Sequence, residues 1–393
     1  MMKGETMKTL IKNVNIVTRD KIIENGYCLI ENDLISYVGN ERVVCDTEID
    51  GNGGYLMPGF IDLHCHGGDG YDFMDATPEQ IAHVADFHLS HGTTTMLVTT
   101  LADAPDATKQ SIENFGKYAK SHPNGSLVGL HLEGPWFSAE QCGAQPTEFF
   151  RDPSASELEE LKEEYPYILR VSAAPELDGA MEFGNKGREL GVVVSAAHTD
   201  ADFATIEKAS QNGYTLMTHL YSGMKGVTRK NAYRIAGAVE AGLYLDNLFV
   251  EIIADGKHLP IELLKFIYKF KGADRICLVT DASRACGMPD GTKSFIGSTA
   301  HGNPIIIEDG VAKLPDRLSF AGSVATFDRL VRTMYEAIGD DPVALAKMAS
   351  TTPAAVMGFD DRGEIATDKR ADLVIADKHY NVQKVIFNGE PIS

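Results

Sequence analysis

The chain has 393 residues, 44% hydrophobic and 23% charged, which is the balance of an ordinary folded protein and excludes disorder or a repetitive fibrous chain. Its 36 Lys and Arg against 56 Asp and Glu give a net charge of −20; this repels phosphate backbones and argues against general nucleic-acid binding, though not against one phosphate in a local basic pocket. The six cysteines (Cys28, Cys45, Cys65, Cys142, Cys277 and Cys286) contain no CxxC pair, so neither a thiolate zinc site nor a disulfide framework is expected, and reduced thiols in a cytoplasmic protein are the simplest reading.

Taken in chain order, the first residues lack the apolar core of a signal peptide, and no later run reaches the ~18–20 apolar residues of a membrane span. Residues 10–17, 27–30 and 34–38 read as short strands between polar turns. The other end looks alike, with strand-like runs at 372–376 and 385–389. Neither end can bury a core alone. Residues 1–56 and 358–393 are therefore expected to pair into one small β-sandwich domain. The character changes at Leu56-Met57-Pro58-Gly59. From 57 to 357, apolar strand candidates at 60–65, 93–99, 127–132, 168–173, 192–196, 215–219, 249–254 and 276–280 alternate with helical stretches. Eight such units fit an α/β fold of the (β/α)8 TIM-like barrel type. A doubly wound open sheet is the rival, weakened because no Gly-rich phosphate fingerprint follows the first strand. Residues 284–320, rich in Gly, Pro and Ser, suggest an active-site flap or an inserted hairpin.

Five of the twelve histidines fall at or just past predicted strand ends. His64 and His66 are spaced i, i+2 and share a face of the first strand. His198 follows the fifth strand, His219 ends the sixth and His258 follows the seventh. Glu133 follows the third and Asp281 the eighth. In a barrel these ends converge on one mouth. Singly, each residue has an ordinary explanation: an HxH pair is commonly two strand histidines, and Glu133 or Asp281 would serve as a helix cap. Together they favour a metal site. Imidazole and carboxylate suit Zn2+ or Fe2+. Glu133, His198 and His219 form a three-ligand set, and His64 with His66 offers a second position, so one or two metals per chain are expected. A metal lowers the pKa of its bound water toward ~7, and Asp281 is placed to act as general base and then general acid. His83, His88 and His91 are expected at the surface, and His122, His301 and His379 in loops. His131 shares a strand face with Glu133 and fits a place behind the ligands.

Several blocks carry a wider likeness: Pro58-Gly59-Phe60-Ile61-Asp62-Leu63-His64-Cys65-His66, His131-Leu132-Glu133-Gly134-Pro135, Thr218-His219-Leu220-Tyr221, Ala254-Asp255-Gly256-Lys257-His258 and Val279-Thr280-Asp281-Ala282. In them the chain resembles the amidohydrolase superfamily and, within it, the N-acetylglucosamine-6-phosphate deacetylases. The first block is a superfamily signal; the others together are more specific. The resemblance implies hydrolysis of the 2-acetamido group of an amino sugar 6-phosphate, with release of acetate. It implies that Asp281 takes the proton of the attacking water and delivers it to the departing amine. It gives His258 a role in bonding sugar hydroxyls or orienting the acetamide, and has residues at Phe320, Ala321 and Gly322 line the sugar pocket. Ala144, Gln145, Ser222 and Gly223 are the further candidates for substrate contact. A homodimer is also implied, with an arginine reaching the sugar phosphate across the interface.

Two departures stand out. The family's histidine twelve residues after the metal-binding glutamate is Gln145 here, an amide that hydrogen-bonds but does not titrate near neutral pH. If the family histidine polarises the acetamide carbonyl, Gln145 does so more weakly. The family's arginine segment after Tyr221 is replaced by a stretch carrying Lys225, Arg229, Lys230 and Arg234. These read as a local anion site, with Arg229 the first choice for phosphate because its planar fork binds two oxygens, and Lys230 and Arg234 as alternates. Galactosamine or mannosamine 6-phosphates, or an unphosphorylated N-acetyl sugar, are the alternative substrates. No nucleic-acid or membrane partner is expected.

Overall fold

Eight short apolar segments, buried on both faces, can satisfy their backbone groups only by pairing with one another. In the computed structural model, which describes residues 7–392, they do so. Residues 1–6 and 393, part of the expected terminal domain, lie outside the described residues. The strands are Phe60–Cys65, Thr93–Thr100, Leu127–Glu133, Ile168–Ala173, Val193–Ala196, Tyr214–Met217, Phe249–Ile252 and Ile276–Leu278. They are called here the first to eighth barrel strands. Each pairs in parallel with the next, in sequence order. This order excludes the doubly wound alternative. The gap between the eighth and first strands is closed just beyond their ends. The Asp281 N–H donates to the His64 carbonyl at 2.8 Å and the His66 N–H to the Ala282 carbonyl at 2.8 Å. Buried Asp62 reinforces the seam by accepting from the Thr280 hydroxyl at 2.5 Å. That seam sets the Asp281 backbone directly against the two leading histidines.

Helices cover the outside by ordinary amphipathic packing. In Phe327–Ile338 the residues Phe327, Leu330, Val331, Met334 and Ala337 share the buried face. Helix Pro78–Ser90 opens on a Thr77–Gln80 capping box. Its buried face consists of Ile81, Val84, Ala85, His88 and Leu89.

Both ends of the chain meet in a second layer, a mixed seven-stranded sheet. It contains Lys8–Val17, Ile22–Glu31, Leu34–Gly39, Thr47–Pro58, Leu373–Ala376, Val382–Phe387 and Glu390–Pro391. Its core joins Ile11, Val14, Ile16, Ile30 and Leu56 to Leu373, Ile375 and Ile386. The strand Thr47–Pro58, which no alternating apolar pattern marks in the sequence, lies at the middle of the sheet, parallel to Lys8–Val17 and antiparallel to Leu373–Ala376. The Gly-rich stretch after the eighth barrel strand forms a small antiparallel sheet, Lys293–Ile296, Asn303–Glu308 and Val311–Lys313. Its first turn is fastened to the barrel mouth by Asp103, which accepts from the Ser298 hydroxyl at 2.7 Å and lies 2.6 Å from His301 Nδ1. All six cysteines are free. Among the described residues no helix is long and apolar enough to cross a membrane.

Candidate active site

At the mouth of the barrel the backbone bends sharply at three of the candidate residues. His198, His219 and Asp281 have φ angles of 43°, 29° and 47°, the left-handed region that residues with a side chain seldom occupy. Such a conformation costs about 1–3 kcal/mol and persists only where its surroundings enforce it. Here the enforcement is local. His198 Nδ1 lies 2.8 Å from the Gln141 carbonyl and His219 Nδ1 3.1 Å from the Ser222 carbonyl. An imidazole donating from Nδ1 keeps its Nε2 lone pair free, and both Nε2 atoms face inward.

They meet Glu133. Its Oε1 lies 3.0 Å from His219 Nε2 and 3.4 Å from the Nε2 atoms of His198 and His64. Its Oε2 lies 3.4 Å from His66 Nε2. Asp281 Oδ1 stands 3.1 Å from His66 Nε2 and 3.4 Å from His64 Nε2. Two buried triads result, His64–His66–Glu133 and Glu133–His198–His219, each with its ligand atoms within 4.8 Å of one another. They share one carboxylate.

The chemistry of this donor set fits metal ions. Two imidazole nitrogens, His64 Nε2 and His66 Nε2, lie 3.1 Å apart in a fully buried position. Two lone pairs so placed repel unless a proton or cation lies between them. Burial opposes a charge on His64, yet the Glu133 and Asp281 carboxylates overcome it and hold its pKa up at about 10. His64, His198 and His219 keep Glu133 well below the usual carboxylate range, against the opposing effect of burial. The cluster thus stabilises positive charge at its centre, where a divalent cation is the natural occupant.

Residues 55–392 match the Amidohydrolase family. The chain belongs to that family. It is 32% identical over 391 residues to the N-acetylglucosamine-6-phosphate deacetylase of Bacillus subtilis, covering 97% of this chain and 96% of that one. It is also 32% identical over 340 residues to an N-acetylgalactosamine-6-phosphate deacetylase of Escherichia coli, covering 85% and 87%. The solved structure of a mutant N-acetyl-D-glucosamine-6-phosphate deacetylase from Mycobacterium smegmatis, in complex with N-acetyl-D-glucosamine-6-phosphate, superposes with a TM-score of 0.89 at 29% identity over 99% of each chain.

In this amidohydrolase a cavity of about 240 Å³ opens above the cluster. Of the residues expected around the substrate, Ala144, Gln145, Ser222, Gly223, His258, Phe320 and Gly322 line it, together with Asp281, Glu133, His66, His198 and His219. Ala321 does not; its side chain packs into the apolar cluster beneath the small sheet. Leu101, Gly143, Ile296 and Ser319 also line the cavity, and no motif in the sequence marks them. Gly223 is required there: a Cβ would come within 2.8 Å of His198 Nδ1, at a φ of 56°. His258 is oriented by Asp255, whose Oδ2 lies 2.9 Å from Nδ1, and its ring packs against Phe320. Gln145 has both polar atoms engaged. Its amide donates to Glu133 Oε2 at 2.6 Å, and its carbonyl accepts from the Ala102 N–H at 2.8 Å. The side chain is thus committed to holding the shared carboxylate.

Arg229, Lys230 and Arg234 are not brought to this cavity. They sit on an exposed hairpin, Thr228–Lys230 and Tyr233–Ile235, with Arg229 opposite Arg234. Among the described residues none of the three is in an ion pair, and Tyr233 at the tip is 78% exposed. The expectation for His88 needs correction. It is fully buried rather than at the surface, because its position on helix Pro78–Ser90 is four residues after Val84, on the apolar face. Its Nε2 lies 3.0 Å from the Gly67 carbonyl and 3.4 Å from Cys65 Sγ, immediately behind His64 and His66. His83 is exposed beside Asp69 as expected. His131 lies behind the two triads, with Nε2 2.6 Å from Ser172 Oγ and its ring edge-on to His64.

Proposed function

We propose that this amidohydrolase removes the acetyl group from N-acetylglucosamine 6-phosphate, yielding glucosamine 6-phosphate and acetate. The observation that carries the reading is the pair of triads sharing Glu133, with Asp281 alongside, at the floor of a sugar-sized cavity. Full-length similarity to deacetylases of this specificity supports it.

Glu133, His198 and His219 would hold one divalent metal and His64, His66 and Glu133 a second, with Zn2+ or Fe2+ suited to both. Bound there, such a metal acidifies a coordinated water and polarises a carbonyl oxygen. The chain's own groups do the rest. The two histidines beside Asp281 outweigh the effect of burial and keep its carboxyl below its ordinary range. It is therefore ionised at neutral pH and ready to accept a proton from the attacking water, then to give it to the amine that leaves. His258, donating to Asp255 from Nδ1, presents Nε2 as an acceptor for a sugar hydroxyl. Gln145 keeps the Glu133 carboxylate in one orientation. Phe320 and Ile296 give one side of the cavity an apolar wall.

Among the described residues no arginine or lysine lines the cavity of a single chain. A homodimer in which Arg229, Lys230 or Arg234 of one hairpin reaches the neighbouring mouth would supply the phosphate contact. The exposure of this hairpin, with its three basic side chains in no ion pair among the described residues, supports that arrangement.

The test is acetate release, with metal supplied, from N-acetylglucosamine 6-phosphate, its galactosamine isomer and unphosphorylated N-acetylglucosamine. A kcat/KM at least ~100-fold higher for the phosphorylated glucosamine sugar corresponds to ~2.7 kcal/mol of transition-state binding from the phosphate. Equal rates with and without phosphate would reject the phosphate site. A preference for the galactosamine isomer would reassign the sugar and leave the reaction intact.

A further inference from the structure

Below the ligand layer the barrel interior is polar. Arg170 from the fourth strand and Glu251 from the seventh are both fully buried, and their side chains form an ion pair. Arg170 also donates to the Leu63 carbonyl at 2.9 Å, to Thr218 Oγ1 at 3.0 Å and to Ser195 Oγ at 3.2 Å. Burying such a pair is costly, and an apolar pair of similar volume commonly stabilises a core as well or better. Stability alone does not account for it.

The second oxygen of Glu251 does. Oε2 accepts from the His219 backbone N–H at 3.3 Å and stands 3.5 Å from His64 Nδ1. Among the described residues His64 Nδ1, which is buried, has no hydrogen-bond partner. Its Nε2 faces Glu133 and Asp281. An imidazole that offers a lone pair at Nε2 carries its proton at Nδ1. That N–H is out of reach of water and needs an acceptor. Among the described residues Glu251 is the one carboxylate within 4.0 Å of it. The gap closes to a normal hydrogen bond with a shift of a few tenths of an ångström.

We propose that Glu251, held by Arg170, is a positioning residue for the metal site. It fixes the tautomer and orientation of His64 from below and, through the His219 backbone, ties the two triads to one rigid support. Arg170 neutralises the carboxylate, so the site gains an oriented acceptor without a further net charge. This rests on the metal-site reading above and not on the identity of the sugar.

The experiment is equilibrium binding of Zn2+ to the metal-free full chain, measured by competition with a chromophoric chelator. Glu251→Gln is expected to weaken Zn2+ binding by about 10–100-fold while the circular dichroism spectrum stays that of the wild type. Ser195→Ala removes a hydroxyl from the same polar layer without touching a ligand candidate, and its Zn2+ affinity is expected to equal the wild type's. Unchanged affinity in a folded Glu251→Gln protein overturns the proposal. So does an equal loss in Ser195→Ala, which would assign the effect to packing of the layer as a whole. If Glu251→Gln does not fold, Glu251→Asp is measured in its place, because it keeps the charge beside Arg170 while withdrawing it from His64. Failure of both to fold assigns the pair to stability alone and also overturns the proposal. A chain that binds Zn2+ as expected yet releases no acetate would reject the deacetylase reading and leave this one standing.

Discussion

Acidification should destabilise this protein through His88 by an amount that the structure sets. Burial pushes the His88 pKa down to about 4, against the opposing pull of its hydrogen bond to the Gly67 carbonyl. In the unfolded chain the same imidazole titrates near ~6.5. Above that pH both states are neutral and the full contribution is present. Below it the unfolded chain takes up a proton that the folded chain refuses, so stability drains away as the pH falls toward about 4. For these two values the loss at about pH 5 is ~2 kcal/mol. His88→Gln retains a donor for Gly67 but cannot titrate. The assay is urea unfolding of metal-free protein at about pH 7.5 and about pH 5, followed by fluorescence of the single tryptophan, Trp136, which is buried. Wild type should lose ~2 kcal/mol more than His88→Gln between the two conditions. Equal losses would show that His88 is not a buried neutral imidazole.

Other perturbations separate the roles assigned above. Asp281→Asn should lower kcat by ~10²–10⁴-fold while metal content, measured by elemental analysis, stays constant. Gln145→Ala leaves the Ala102 N–H and a Glu133 oxygen without their partner, so thermal unfolding should report a loss of ~1–3 kcal/mol; a neutral result would mean that water replaces the amide at no cost. Arg229→Ala combined with Arg234→Ala should raise KM for the phosphorylated sugar with little change in kcat, and leave the unphosphorylated sugar unaffected in steady-state kinetics. Removing metal with a chelator should abolish acetate release and adding back Zn2+ or Fe2+ should restore it, whereas activity that survives exhaustive chelation would exclude the metal reading.

Much of this arrangement was legible in the chain. The barrel strands showed because parallel strands buried on both faces must be apolar throughout. The histidines at their ends showed because nothing in a packed core calls for such residues there. What stayed hidden depended on contacts between distant segments. Thr47–Pro58 contains Gly51, Gly53 and Gly54 and resembles a turn; it is a strand because neighbours flank it on both sides, and Gly54 is needed where a Cβ would come within 2.2 Å of the Ala376 carbonyl. His88 sits at the helical spacing of Ile81, Val84 and Ala85, so its burial was readable from periodicity. Arg170 and Glu251 interrupt apolar strands, which marks a polar barrel interior, but sequence alone does not say that one meets the other. Gln145 was visible as a departure; that its two polar atoms are already taken was not.

The terminal sheet has a consequence for the order in which the molecule is made. Leu56 pairs with Ile375, and Met57 with Val374. At ~5–20 residues per second, the ribosome delivers the second partner roughly half a minute after the first. Until then the strand Thr47–Pro58 has Lys8–Val17 on one side and an open edge on the other. Open edges recruit strands from other chains. The same segment leads straight into the first barrel strand, and hence into His64 and His66. Nascent molecules therefore carry an open strand edge a few residues from His64 and His66, and a chaperone that covers one shelters the other.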